Sequence, residues 1–248
     1  MIEERTYRKQ FSKERFGSFT VDYKETDLWI GVDPASFRDE MKPVAFEKVK
    51  ELRHTLEGYL LVDPMYGKTF DPYYSQPNAP AIVKGMADAA REAGVGPMAA
   101  VAGAFAEAVG RHLMEKFEIL ELVVENGGDI FLKIERPILL SVYAGNSVLS
   151  EKIAIEIPAG ESPLGVCTSA GTVGPSVSFG KADAVMIACH HTALADAFAT
   201  AFGNRVKSSE DVPIVIAQTE GFAEILSAIV ICGDKIGIRG KFEMKMIK

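Results

Sequence analysis

Cysteine is scarce in this chain: Cys167, Cys189 and Cys232 are three among 248 residues, an odd number with no short pairing. That usage excludes a disulfide framework and fits a reducing compartment. Long apolar runs are missing as well. No stretch reaches the roughly eighteen uninterrupted apolar residues that cross a bilayer; residues 95–109 come closest, and Glu107 with the many small residues makes them read as a buried helix. The opening Met-Ile-Glu-Glu-Arg-Thr-Tyr-Arg-Lys has no apolar core segment, so it is not expected to act as a signal peptide. A cytoplasmic protein without membrane contact is the expectation. Excess basic charge is lacking too: 27 Lys and Arg stand against 34 Asp and Glu, a net charge of -7. This argues against a non-specific nucleic-acid partner, which needs a basic face to displace counterions. Repeats, low-complexity runs and linkers are absent, and the length suffices for a sizeable core. One compact domain over residues 1–248 is expected.

What is present sorts by period. Alternation over residues 18–32 around Thr26-Asp27 predicts two strands and a tight turn. Val44, Phe46, Val49, Leu52, Leu56, Tyr59 and Leu60 fall at helical spacing, predicting an amphipathic helix over 43–61. Pro64, Pro72, Pro77 and Pro80 sit among aromatics, so residues 62–80 read as a long ordered loop near a ligand. Helices are predicted over 82–93, stopped by Gly94, and over 98–116, opened by Gly96-Pro97. The second is dense in Ala and Gly, which allows close approach of backbone to another element or to a ligand.

Strands are predicted at 118–125, 129–135, 137–143, 151–157 and 183–189, with a loop region over 159–181. A helix at 192–204 ends at Gly203-Asn204. The tail alternates through 228–232, 236–238 and 242–247 as edge strands. Strands follow one another rather than alternating with helices. This predicts an α+β fold with an antiparallel or mixed sheet packed with helices.

Three stretches place glycines, hydroxyls or carboxylates at the end of apolar segments. In Asn126-Gly127-Gly128-Asp129 the paired glycines permit positive φ and close approach of a ligand to the backbone; the same residues also read as a plain hairpin turn. The 167–180 segment, with Thr168, Ser169, Gly171 and Thr172, offers many N–H and O–H donors in a small volume, as phosphate cradles do. It has neither the P-loop ending nor the dinucleotide spacing, and a surface loop is the alternative. Asp196 and Thr200, four apart on a helix, point to one side and can share a hard cation such as magnesium. The alternative is a dipole-stabilised carboxylate and a back-bonded hydroxyl. Asp129 and Glu125 are the candidate bases. Cys167 reads as a small core thiol, His190 and His191 as turn residues, and His54 and His112 as solvent-facing.

Taken together, these motifs resemble the ApbE-like superfamily, whose members include magnesium-dependent FAD:protein FMN transferases. A cytosolic branch of short archaeal and bacterial relatives is similar over nearly the whole chain. The motifs carrying that likeness are Glu-Thr-Asp-Leu (25–28), Val-Gly-Pro-Met-Ala-Ala-Val-Ala-Gly-Ala (95–104), Val-Glu-Asn-Gly-Gly-Asp-Ile-Phe (124–131), Thr-Ser-x-Gly-Thr-Val-Gly (168–174), Ser-Phe-Gly-Lys-Ala-Asp-Ala-Val (178–185) and Ala-Asp-x-x-Ala-Thr (195–200). The likeness to the transferases themselves spans roughly 97–204.

The resemblance implies an ApbE-like fold and a metal at Asp196 and Thr200. It also implies a phosphate-bearing ligand, FAD or a related nucleotide, held by Asn126, Gly127, Gly128, Asp129, Thr168, Ser169, Gly171 and Thr172. Two departures accompany it. The transferases' Ala-Lys-Gly-Tyr-x-x-Asp falls on Ala102-Gly103-Ala104-Phe105, without the lysine or the aspartate. Their His-x-x-Asp-Pro-x-Thr-Gly is replaced over 174–180. Two readings follow: a phosphoryl, nucleotidyl or flavin transferase, or a non-catalytic ligand-binding or sensor module that has lost the transferase residues. Either works on a small molecule, and a homo-oligomer is compatible with both.

Overall fold

Two side-chain periods build the layers. Alternating strands give each one face of one kind, and helices with an apolar stripe need a sheet to cover. The computed structural model describes residues 14–171 and 179–247. In chain order the elements are β1 (Gly17–Tyr23), β2 (Thr26–Val32), α1 (Met41–Val62), α2 (Ala81–Ala93), α3 (Val101–Lys116), β3 (Leu122–Asn126), β4 (Asp129–Lys133), β5 (Ile138–Ser141), β6 (Ile153–Ile157), β7 (Leu164–Ser169), β8 (Ala184–Cys189), α4 (Thr192–Arg205), α5 (Val212–Gln218), β9 (Ser227–Cys232), β10 (Lys235–Gly240) and β11 (Glu243–Met246).

Eight strands form one sheet in the order β1-β2-β3-β4-β7-β8-β9-β10, and three form a second in the order β11-β6-β5. Every pairing is antiparallel. The fold is therefore α+β, a single compact domain, with the antiparallel alternative of the two expected.

Alternation splits the large sheet cleanly. Leu122, Val124, Phe131, Cys167, Val185, Ile187 and Val230 face the helices, in one core with Leu52, Met86, Phe105 and Phe198. Val123, Leu132, Leu164, Val166, Met186 and Ile229 face the other way, in a second core with Ile138, Leu140, Ile153 and Ile155 of the small sheet. α4 is buried along almost its whole length, as a helix apolar all round must be. It lies between the sheet and the α2–α3 layer.

Several expectations need correcting. The first turn falls at Lys24-Glu25, two residues early, because Tyr23 pairs with Thr26 and Asp22 with Asp27. The helix expected from 98 begins as a 3-10 turn over Pro97–Ala100 before α3 starts at Val101. The strand expected from 118 starts at Leu122. The 159–181 region contains a full strand, β7. β9 is not an edge; it lies between β8 and β10. α4 runs through Gly203 to Arg205, because Gly203 does not take the left-handed φ that ends a helix at a glycine. Among the described residues, no single helix is long and apolar enough to cross a membrane. Ala81–Ala93 and Pro97–Lys116 meet that length only jointly, and they are bent by 103°.

Candidate functional site

The site is assembled where α4 crosses the helix-facing side of β4 and β7. Gly127 and Gly128 take φ of 70° and 104°, which makes a two-residue turn with both central residues left-handed. It joins Asn126 to Asp129, directly opposite each other in register. Asp129 shares its face with Phe131, and its partner on the next strand is Cys167. Cys167, Gly165 and Ser169 look toward α4. This face is small because the helix sits on it: a Cβ on Gly165 would come 2.7 Å from the Thr192 hydroxyl.

α3 closes the other side. A Cβ on Gly103 would lie 2.5 Å from the Thr192 carbonyl oxygen and 2.9 Å from Asp196 Cβ. The Gly103 N–H instead donates to Asp196 Oδ2 at 2.9 Å. Asn126 Nδ2 donates to the Ala102 carbonyl at 3.1 Å, tying the turn to the same helix. Along α4, Thr192, Asp196, Thr200 and Gly203 follow at spacings of four, four and three, so they share one face. The Thr192 hydroxyl is buried and has no hydrogen-bond partner among the described residues. A Cβ on Gly203 would meet Ser169 Oγ at 3.6 Å, so the Ser169 hydroxyl lies at the far end of that face.

Electrostatics set this cluster apart. Asp129 and Asp196 are each 8% exposed. Burial pushes the Asp196 carboxyl up to about 7, against the N–H groups of Gly103 and Ala102 that favour its charge. Burial raises Asp129 well above its ordinary range, and the Asp196 charge raises it further. The Cys167 thiol is buried, raised by desolvation and by the two aspartates, and bonded to the Thr192 carbonyl at 3.4 Å. Two carboxylates in one dry cluster cannot both ionise without a compensating cation or proton. Hard oxygen donors in that state suit a magnesium-type ion.

The candidate residues thus divide. Asn126, Asp129, Ser169, Asp196 and Thr200 converge on one side of the sheet, with the Gly127–Gly128 turn beside them. Thr168 does not: it shares the face of Leu164 and Val166, in the core toward the small sheet, and only its backbone N–H reaches Asp129. Glu125 is fully buried on the face of Val123, where its Oε1 accepts the Gly128 N–H at 2.8 Å and holds the turn. Gly171 lies at the strand's end, its N–H donated to the Ala182 carbonyl at 2.8 Å. Thr172 lies outside the described residues.

Gly103 and Gly165 were legible only as small residues; nothing in one sequence says which glycine touches which helix. His190 and His191 are exposed, as expected. His54, exposed too, pairs with the Tyr23 hydroxyl at 3.0 Å, and His112 is half-buried.

A cavity of ≈ 430 Å³ lies at the N-terminal end of α4, walled by Met86, Ala89, Ala104, Ala108 and Leu194, with Glu107 and Arg111 on its rim. Glu107 caps α4 there, accepting the Thr192 N–H at 2.7 Å. From His191 to Gly203 the helix rises roughly 18 Å, so the cavity and the Ser169 hydroxyl occupy opposite ends of it.

A family model described as AbpE bacteria matches residues 8–222. A UPF0280 protein of Methanosarcina barkeri is 41% identical over 219 residues, 88% of this chain and 84% of that protein. Another, of Methanocaldococcus jannaschii, is 36% identical over 227 residues, 88% of each. Among solved structures, the Pseudomonas stutzeri flavinyl transferase ApbE in its apo form superposes with a TM-score of 0.58 at 12% identity, covering 92% of this chain and 95% of that one. The ApbE protein of Thermotoga maritima gives 0.57 at 13% identity, covering 91% and 97%. Those two likenesses are of fold.

Proposed function

The chain belongs to the AbpE bacteria family, alongside the UPF0280 proteins of Methanosarcina and Methanocaldococcus, and on that premise we propose that it binds a phosphate-containing nucleotide, a flavin nucleotide foremost, together with a divalent cation. The observation that carries this reading is the burial of two carboxylates, Asp129 and Asp196, in one cluster, where both ionise only with a compensating cation or proton. Fold neighbours named flavinyl transferase support the flavin assignment.

In this reading Asp196 and Thr200 hold the cation, which supplies charge neutralisation at phosphate oxygens. The Ser169 hydroxyl donates to the phosphate oxygens, as hydroxyls in a glycine-rich bend do. Gly128, Thr168 and Gly171, whose N–H groups are held by Glu125, Asp129 and the Ala182 carbonyl, shape the bend around it. Thr172 belongs to the same proposed cradle, and Asn126 with Gly127 shapes the wall. Asp129 is the group placed to hold or release a proton beside the phosphate. Glu125, engaged with the turn, positions rather than reacts.

One observation favours binding without flavin transfer. The position where the transferases carry lysine is Gly103 here, and the Thr192 carbonyl leaves no room for a side chain. Asp196, Thr200 and Ser169 are present, and that lysine is not.

Heat unfolding with FAD or ADP, with and without magnesium, tests the reading. Stabilisation by about 3 kcal/mol at one hundred times the dissociation constant is expected only when nucleotide and metal are both present. Asp196→Asn should remove the metal dependence. No shift with any combination at millimolar concentrations would end the proposal. Incubation of FAD with an acceptor peptide, followed by AMP release, separates transferase from binder.

A further inference from the structure

Phe70 and Phe179 stand in edge-to-face contact, ring centroids 5.0 Å apart and planes at 86°. They come from distant segments and remain 58% and 53% exposed, so the contact buries little of either ring. Both backbones are fixed. The Phe179 N–H donates to Asn204 Oδ1 at 2.8 Å, and its carbonyl accepts Lys207 Nζ at 2.6 Å. On the other side, a Cβ on Gly96 would come 2.9 Å from Phe70 Cα, so that glycine lets the 62–80 loop lie directly on the chain leading into α3.

Their location matters more than their exposure. Phe179 precedes Gly180, which is packed against the Gly203 carbonyl, and Lys181 donates its N–H to the Val206 carbonyl at 2.7 Å. This places Phe179 at the C-terminal end of α4, beyond Thr200 on the side where Ser169 meets Gly203. Phe70 approaches the same end from above Gly96. Two mutually perpendicular rings on anchored backbones thus present apolar faces beside the hydroxyl end of the candidate site. Exposed aromatic faces of this kind gain most from a flat heteroaromatic ring, which can stack on one phenyl while meeting the edge of the other.

We propose that Phe70 and Phe179 form the subsite for the planar ring of the phosphate-bearing ligand, so that the site selects nucleotides over ring-free phosphates. This deepens the proposed function and rests on it. The ring lies past Thr200, away from the apolar cavity at the N-terminal end of α4.

Titration calorimetry with magnesium and two probes, ADP and inorganic pyrophosphate, tests the proposal. The native protein should bind ADP more tightly than pyrophosphate. Phe179→Ala and Phe70→Ala should each weaken ADP roughly ten-fold, as loss of a stacking aromatic does, and leave pyrophosphate unchanged. Phe70→Tyr, which keeps a ring, should retain ADP binding. Equal affinity for the two probes, or alanine variants within about two-fold of native for ADP, overturns the ring subsite while the metal–phosphate reading stands. Failure of the native protein to bind either probe sinks both.

Discussion

Gly103 donates its N–H to the Asp196 carboxylate at 2.9 Å and is also the point where α3 and α4 touch. The two facts have one cause: only a residue without Cβ lets the helices approach until a backbone amide reaches a side chain rooted on the other helix. Gly103→Ala would push a methyl group to 2.5 Å from the Thr192 carbonyl oxygen. Overpacking of that kind costs about 1–3 kcal/mol, against a gain of roughly 1 kcal/mol in helix propensity. Net destabilisation is expected in urea unfolding. Gly85, in α2, has nothing within 4 Å of its ideal Cβ, so Gly85→Ala should stabilise by about 0.5–1 kcal/mol. The same substitution with opposite signs at two glycines isolates the contact.

Stability of the metal-free protein should fall as pH rises from 4 toward 7. Burial lifts the Asp196 carboxyl from 3.8 to about 7. Between those values the folded chain holds a proton that the unfolded chain has released, so raising pH favours unfolding. Above 7 the loss due to Asp196 is complete. A shift of that size corresponds to about 4 kcal/mol, or roughly 10 °C in melting temperature for a chain this long. Asp196→Asn should reduce the slope between pH 5 and pH 8, leaving the part that comes from Asp129, which its own burial also raises. A flat profile in chelator-treated native protein would contradict the buried pair.

Where sequence reasoning succeeded and failed follows from what each element packs against. α1 and α2 show their period because each has one apolar and one polar side, while β3 and β4, buried on both faces, stand out as short apolar runs. β7 hides its period. Leu164 and Val166 serve the far core, while Gly165, Cys167 and Ser169 are small because α4 lies on them, so the strand resembles a loop. α5 was missed for the opposite reason: Val-Pro-Ile-Val-Ile-Ala-Gln is rich in β-branched residues, and its helix depends on the proline at its start. The site was legible as types of residue, and Asp129, Ser169 and Asp196 do share a face. The outward turn of Thr168 was not, since assigning it requires knowing that 164–169 is a strand and which side it buries.

Glu121 should govern acid stability at the other end of β3. Burial raises its proton affinity, but Arg15, the Glu135 N–H and Arg136 outweigh burial and hold its carboxyl down at about 2. The Arg15 guanidinium meets it at 2.7 Å. Here the folded pKa lies below the unfolded one. The contribution is therefore present above pH 4.5 and disappears as pH drops through 2. Glu121→Gln removes a charge that two arginines and two backbone amides face, and should cost roughly 3 kcal/mol at pH 7. Circular dichroism during acid titration should show the native protein losing stability from pH 4.5 downward and the variant losing less. Parallel curves would refute the assignment.

All three cysteines should resist alkylation in the folded state, for reasons that differ in strength. Cys167, Cys189 and Cys232 are free and buried. Burial pushes each thiol up, and at Cys167 the charges of Asp129 and Asp196 add to it. The thiolate is the reacting species, so a thiol kept neutral and dry is doubly protected. Cys232 lies near the sheet edge at 8% exposure and bonds to the Lys181 carbonyl; it should react first with iodoacetamide. Cys167 should react last, because reaching it requires α4 to lift from β7, which breaks the contact holding Asp196 to Gly103. Its labelling rate, read by peptide mass spectrometry, thus reports opening of the candidate site. If magnesium with ADP occupies the site as proposed, that rate falls further while the rate at Cys232 stays constant. Equal protection of both thiols would point to general stiffening instead.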